Sequence, residues 1–356
     1  MINSSQANTR ASDYFRLARE RFDTVASSPG AIVALTVGIA GFAIRIEVAA
    51  GELARAILSA LSHIIIPDAP SPDLTIQAWD SETTGVAPLS PAWTTEEYGR
   101  EGFVEGFNDE RFHTAIQMDP IIFRMLDMHE QRAVYWTKAA STFPYWEVGA
   151  PLRPLLHEWL RRKGVLPVHG GAVGYRDGGV LIAGAGGQGK SNVALACLAS
   201  ELMYASDDFC CVSRSLGWTV HSLYCTGKIA PADIARHPHL AGASRRVSHL
   251  EGEKVLFFLK ESFPQRLIHE MPLRAIVLPR IVGSGPCALA PLATAAAQRA
   301  IATSTIEMSR WTARDTFKNV AELVRDLPCY ELRVGASIAE VPLRLSELLR
   351  GPELSR

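Results

Sequence analysis

The spacing of apolar residues changes several times along this chain. In "AIVALTV" and "FAIRIEV", Ala31–Val37 and Phe42–Val48, β-branched residues flank the short turn Gly38–Gly41, which predicts a hairpin. In "GELARAILSALSHIII" the apolar residues Leu53, Ile57, Leu61 and Ile64 recur at helical spacing. "PDAPSPD" breaks that pattern, and "LTIQAWD", "RFHTAIQMD", "IIFRMLDM" and "RAVYWTKAA" return to strand character. A second helical stripe, Leu152, Leu155, Leu156, Trp159 and Leu160, runs to Gly164, a helix stop. Trp146 and Trp159 beside it read as packing residues.

From Val165 the pattern becomes strand, turn, strand, loop, helix: "VLPVHGGAVGY" meets "VLIAG" across the turn "RDGG". "CALAPLATAAAQRAIA" reads as an Ala-rich helix. The expected organisation is therefore a loosely held polar lead-in (1–29), a β-rich α+β domain (30–140) and an α/β domain (141–356). Nothing in the first domain looks catalytic, which leaves it partner or substrate recognition.

A length of 356 residues agrees with two domains, and 47% hydrophobic with 21% charged residues is ordinary for a soluble globular protein. A formal net charge of −1 gives no bulk attraction to nucleic acid or an anionic membrane. The most membrane-like run, Gly30 to Ile44, is shorter than the ~20 residues a spanning helix needs, and Arg45 and Glu47 follow at once. Six cysteines without CxxC spacing point to reduced thiols and a cytoplasmic protein.

The chemistry concentrates in one stretch. Gly184-Ala185-Gly186-Gly187-Gln188-Gly189-Lys190-Ser191 satisfies GxxxxGK[ST], between the strand-like "VLIAG" and the apolar "VALACLA". Glycines there allow positive φ and bring backbone N–H groups against phosphate oxygens. The helix beginning near Lys190 adds its N-terminal partial charge. Lys190 can then reach the β- and γ-phosphates, and the Ser191 hydroxyl can ligate Mg²⁺. The expected ligands are ATP and Mg²⁺, with Asn192 closing the nucleotide-binding run.

After the helix, "ELMYA" predicts a neighbouring strand whose end carries Ser206-Asp207-Asp208. Ligands of open α/β sheets bind beyond the carboxyl ends of strands, so these acids and the loop converge on one crevice. One aspartate could hold Mg²⁺ or its water, as in an ordinary ATPase; one could also accept a hydroxyl proton, as in a kinase. His169, ending "LPVH" before Gly170-Gly171, could bond the acid or a phosphate oxygen.

Taken together, "HGGAVGY…GGVLIAGAGGQGKSNVALACLA…YASDDF" resembles the kinase domain of HPr kinase/phosphorylase and the wider group of HPr-kinase-like serine kinases, some of which modify peptides. His169 precedes Lys190 by 21 residues and Asp208 follows Ser191 by 17, the order and spacing of that pattern. The resemblance implies that Asp208 is the catalytic base, Asp207 its metal-binding partner, and His169 an auxiliary catalytic residue. It also implies a fold akin to phosphoenolpyruvate carboxykinase, with a mixed sheet and the loop at one end. Asn192 stands where the bifunctional enzymes carry an acid, and their "EIRGLG" segment has no counterpart, so phosphorylase activity is not implied.

Lys228, in "CTGKI", is a further candidate for contact with a phosphate or an acidic substrate. Arg245, Arg246 and Lys254 read as a solvated loop, and His237-Pro238-His239 lacks further ligands at metal spacing. Ala230 to Gly252, polar and punctuated by Pro and Gly, reads as a mobile substrate-facing flap. The expected function is ATP- and Mg²⁺-dependent transfer to a serine hydroxyl of a peptide or small protein. A nucleotide-binding switch module and a small-metabolite kinase are the alternatives, and a homo-oligomer is compatible with each.

Overall fold

The computed structural model describes residues 4–99, 102–246, 252–306 and 313–351. The chain is a mixed α+β protein that divides into two units, Met1–Ser59 with Ile65–Trp159, and Ala60–Ile64 with Leu160–Arg356.

In the first unit the strands are β1 (Ile32–Ile39), β2 (Phe42–Ala49), β3 (Ile65–Ile66), β4 (Leu74–Asp80), β5 (Phe112–Met118), β6 (Ile121–Asp127) and β7 (Arg132–Thr137). They form a seven-stranded sheet in the order β3-β1-β2-β4-β7-β6-β5. The membrane-like run is the hairpin β1–β2, in which Ile39 faces Phe42 across the turn. Among the described residues no helix is long and apolar enough to cross a membrane.

Apart from Ala288–Pro291, a strand where the sequence reading begins the Ala-rich helix that starts only at Thr294, two features differ from the sequence reading. Residues 1–29 do not form a loose lead-in: helix Ser4–Ala26 covers most of them. Its Ala11, Tyr14, Phe15, Ala18, Phe22 and Val25 recur every three or four residues and are buried, with Tyr14 edge-on to Trp93 at 5.0 Å. Polar residues dominate the composition there and mask a narrow apolar stripe. Secondly, the units meet in sequence at Trp159/Leu160, inside helix Arg153–Arg162, whereas a division near residue 140 was expected. Trp159 explains the shift, because its indole N–H donates to Gln131 Oε1 (2.9 Å) and its ring packs on Phe42 (5.2 Å), both in the first unit.

In the second unit the strands are β8 (Leu166–His169), β9 (Gly171–Tyr175), β10 (Gly178–Ile182), β11 (Met203–Ser206), β12 (Phe209–Arg214), β13 (Trp218–Ser222), β14 (Thr226–Ile229), β15 (Arg245–Arg246), β16 (Val255–Phe258), β17 (Glu270–Ile281), β18 (Ala288–Pro291) and β19 (Cys329–Val334). Nine of them make a mixed sheet, β11-β9-β10-β17-β13-β12-β8, with β19 on β17 and β18 on β19. β14, β16 and β15 form a separate three-stranded sheet.

The central strand shows why the large sheet is covered on both faces. β10 is buried at every position, as a strand enclosed between layers must be. Val180 and Ile182 point into one core, shared with Val193 and Leu195 of helix Lys190–Ala196 and with Val341 and Leu345 of helix Val341–Arg350. Leu181 and Ala183 point into the other, shared with Ile301 of helix Thr294–Ile306 and with Val320 and Leu323 of helix Ala313–Asp326. The period of two sends successive side chains to opposite helical layers.

Leu195 joins helix Lys190–Ala196 to β14: a Cβ on Gly227 would lie 2.5 Å from its Cδ2. Leu195→Ala should lower the stability of this unit by about 2–5 kcal/mol, the usual range for emptying a fully buried leucine site. Exposed Leu343→Ala should change it by less than about 0.5 kcal/mol. Urea unfolding followed by circular dichroism compares the two.

Candidate functional site

Strand directions bring the predicted elements together. β9 runs antiparallel to both β10 and β11, so β10 and β11 point the same way. The loop after Ile182 and the acids after Ser206 therefore leave the sheet at one edge. "ELMYA" contributes β11, but β11 pairs with β9 rather than with the loop strand, so β9 lies between loop and acids. β9 begins at that same edge, and glycine is required at its start: a Cβ on Gly171 would lie 2.9 Å from Ser206 O and 3.1 Å from Asp207 Cα. His169 arrives separately, as β8 pairs with β12 and sets His169 opposite Phe209.

Helix Lys190–Ala196 starts directly after Gly189, whose φ of +89° is open to glycine. A side chain there would also strike Ile281, with Cδ1 2.7 Å from the Cβ position. Lys190 is buried, and its ammonium donates to the carbonyls of Gly184 (2.9 Å) and Ala185 (3.2 Å). Gln188 braces the loop by accepting from the Ala185 N–H at 2.9 Å. Gly186, Gly187, Gly189, Lys190, Ser191 and Asn192 line a cleft of about 390 Å³ that they share with His169, Asp208 and Lys228. Gly184, Ala185 and Gln188 lie outside that lining; Gln188, with Gly187, borders a second cleft of about 410 Å³ beside Leu278 and Ile281.

The two aspartates occupy unlike surroundings. Asp208 Oδ1 meets His169 Nε2 at 3.0 Å, and Asp208 Oδ2 accepts from the Lys228 ammonium at 2.6 Å. Burial works against the Asp208 charge, yet Lys228 and His169 outweigh it and hold its carboxyl well below the usual carboxylate range. Asp207 is buried more deeply. It accepts from the Tyr204 hydroxyl (3.1 Å), the Lys228 backbone N–H (3.0 Å) and the Ser191 hydroxyl. Burial, then the neighbouring Asp208 charge, push the Asp207 carboxyl upward. The pair is thus split into an ionised acid facing the cleft and a more weakly ionised one behind it.

His169 is held at both nitrogens, with Nδ1 3.3 Å from Ser304 O and Nε2 on Asp208. Lys228 is no solvated surface residue: it lies on β14, is 4% exposed, and its ammonium is 4.9 Å from the Phe209 ring centre.

Ser191 and Asp207 supply the donors that suit a metal. Both are hard oxygen groups, and the Asp207 carboxylate is surrounded by hydroxyl and backbone N–H donors. Among the described residues no group of three or more His, Cys, Asp or Glu is arranged to hold a metal. An ion at Ser191 and Asp207 would draw the rest of its shell from phosphate and water.

Asn192 clasps the segment that follows β14. Its amide donates to Asp233 (3.0 Å), and its carbonyl oxygen lies 2.8 Å from His237 Nε2. His239 Nε2 is 2.9 Å from the Leu195 carbonyl. The two histidines are thus fasteners on helix Lys190–Ala196. The predicted flap is pinned over Pro231–Arg236 and Pro238–Leu240, while residues 247–251 of it lie outside the described residues. Ala230, Asp233 and exposed Lys254 line the first cleft, whereas Arg245 and Arg246 form the exposed strand β15. Tyr204, Ser304, Asp233 and Ile281 were not predicted as site residues. They are scattered over Tyr204–Ser304 with no motif of their own, and only the fold brings them here.

No family model and no curated protein matches this chain. Among solved structures it is similar to the HPr(Ser) kinase/phosphatase from Coxiella burnetii, at 11% identity and a TM-score of 0.28, over 52% of this chain and 93% of that one. That TM-score falls below the range that marks a shared fold.

His237 supplies a pH test of the clasp. Burial, then His239 and Arg236, lower its pKa to about 4 from an ordinary 6.5. The folded state therefore binds fewer protons than the unfolded chain, and the stability this provides is complete above about pH 6.5 and lost as pH falls towards 4. Between pH 7 and pH 5 the loss should approach about 2 kcal/mol. Urea midpoints at the two pH values should show it in the wild type, and His237→Leu should reduce the pH dependence by that amount.

Proposed function

We propose that the first cleft transfers the γ-phosphoryl group of ATP, as its Mg²⁺ complex, to a serine hydroxyl of a peptide or small protein. The observation that carries this reading is the Asp208 carboxylate opening into the same cleft as the phosphate loop. Loop amides, the helix N-terminus and Lys190 would hold the phosphates, with Lys190 exchanging the Gly184 and Ala185 carbonyls for phosphate oxygens. Ser191 and Asp207 would hold Mg²⁺, which when bound supplies charge compensation to the phosphates. Asp208 would orient the acceptor hydroxyl and take its proton, and His169 would keep Asp208 in place through Oδ1. Serine as acceptor rests on the resemblance to HPr-kinase-like serine kinases in the order His169, phosphate loop, Asp207-Asp208.

Calorimetry and transfer assays separate binding from chemistry. Lys190→Ala should abolish detectable ATP binding. Asp208→Asn should keep ATP affinity within about threefold while cutting transfer from γ-labelled ATP to serine peptides by at least about 100-fold. Transfer that survives in Asp208→Asn sinks the base assignment. Hydrolysis without a phosphorylated product would favour the switch module, and a labelled metabolite would favour a small-molecule acceptor.

A further inference from the structure

Lys228 bonds both acids of the site. Its backbone N–H donates to Asp207 Oδ2 at 3.0 Å, and its ammonium donates to Asp208 Oδ2 at 2.6 Å. The first contact belongs to the strand and would survive any non-proline side chain; the second belongs to lysine. With His169 on Oδ1 and Lys228 on Oδ2, both oxygens of Asp208 are already engaged. Each oxygen keeps a second lone pair, but the ammonium on Oδ2 crowds that oxygen and lowers its basicity towards an incoming hydroxyl. Lys228 nevertheless lines the same cleft as Gly186, Gly187, Gly189 and Lys190, where a triphosphate would lie. A γ-phosphoryl group carries more negative charge than one carboxylate, and a lysine ammonium is a compact charge with three donors on a flexible stem.

We propose that Lys228 is a second phosphate-binding cation that changes partner, holding Asp208 until the triphosphate binds and turning to the γ-phosphoryl oxygens when the triphosphate fills the loop. Asp208 Oδ2 is thereby released for the acceptor hydroxyl. The proton of that hydroxyl passes to Asp208 and a new oxygen–phosphorus bond forms. The bond from the γ-phosphorus to the bridging oxygen breaks, and the diphosphate keeps its electron pair. Asp208 then gives its proton to solvent, and Lys228 returns. This inference rests on the kinase reading of the cleft.

The test compares ATP and ADP, which differ by the group Lys228 is assigned to hold. Calorimetry with Mg²⁺ present should show that the wild type binds ATP more tightly than ADP. Lys228→Met should weaken ATP binding by about tenfold or more, the size of a charge-assisted hydrogen bond, and leave ADP affinity within about twofold. Because Lys228→Met alone leaves the half-buried Asp208 charge without its cation, Lys228→Met with Asp208→Asn is measured beside it and should show the same pattern. Added ethylamine should restore part of the transfer lost in Lys228→Ala. If ADP binding falls as far as ATP binding in the double variant, or if the wild type shows no preference for ATP, the inference is overturned and the kinase reading stands. If the wild type binds neither nucleotide, both are overturned.

Discussion

Two adjacent carboxylates at the end of β11, Asp207 buried and Asp208 half-buried, set the terms for the second unit. Removing a charge from water costs several kcal/mol, and two like charges side by side cost more unless each finds partners. The fold meets that demand with groups from four separate places. β8 brings His169, β14 brings both the backbone and the side chain of Lys228, Tyr204 contributes its hydroxyl from within β11, and Ser191 reaches from the nucleotide-loop helix.

The same requirement explains the split between the acids. Asp208 faces the cleft and takes the Lys228 ammonium and a His169 ring nitrogen, so its charge is kept. Asp207 lies behind it with neutral donors, so its charge is only partly compensated. The site thus holds one firm negative charge and one incompletely neutralised charge side by side. It is poorly suited to an apolar ligand.

Several parts of this arrangement were legible beforehand because they depend on local geometry. The hairpin at β1–β2, the strand "LTIQAWD" and the helix ending before Gly164 follow from residue spacing alone. Helix Ser4–Ala26 was missed although its stripe is regular, because polar residues outnumber the apolar ones. Trp159 was correctly read as a packing residue, whereas Trp146, read the same way, is exposed. The bond from Trp159 to Gln131 moves the division between units into the helix.

By itself the sequence determined the chemistry available: a glycine-rich loop ending in Lys190-Ser191, a short helix, and two acids at a strand end, all within one stretch of chain where backbone geometry dictates the spacing. The glycines at 170 and 171 were visible too, though not their purpose: Gly171 lets β9 pass against Ser206 and Asp207, and Gly170 lies against the Ile182 carbonyl. Only the tertiary structure decided which acid faces the cleft, that Lys228 rather than solvent neutralises it, and that Asn192 fastens Asp233 and His237 to the helix. Those outcomes depend on strand order and on pairings such as His169 with Phe209. A local pattern records what a residue can do, but the partner that fixes its charge comes from a distant part of the chain.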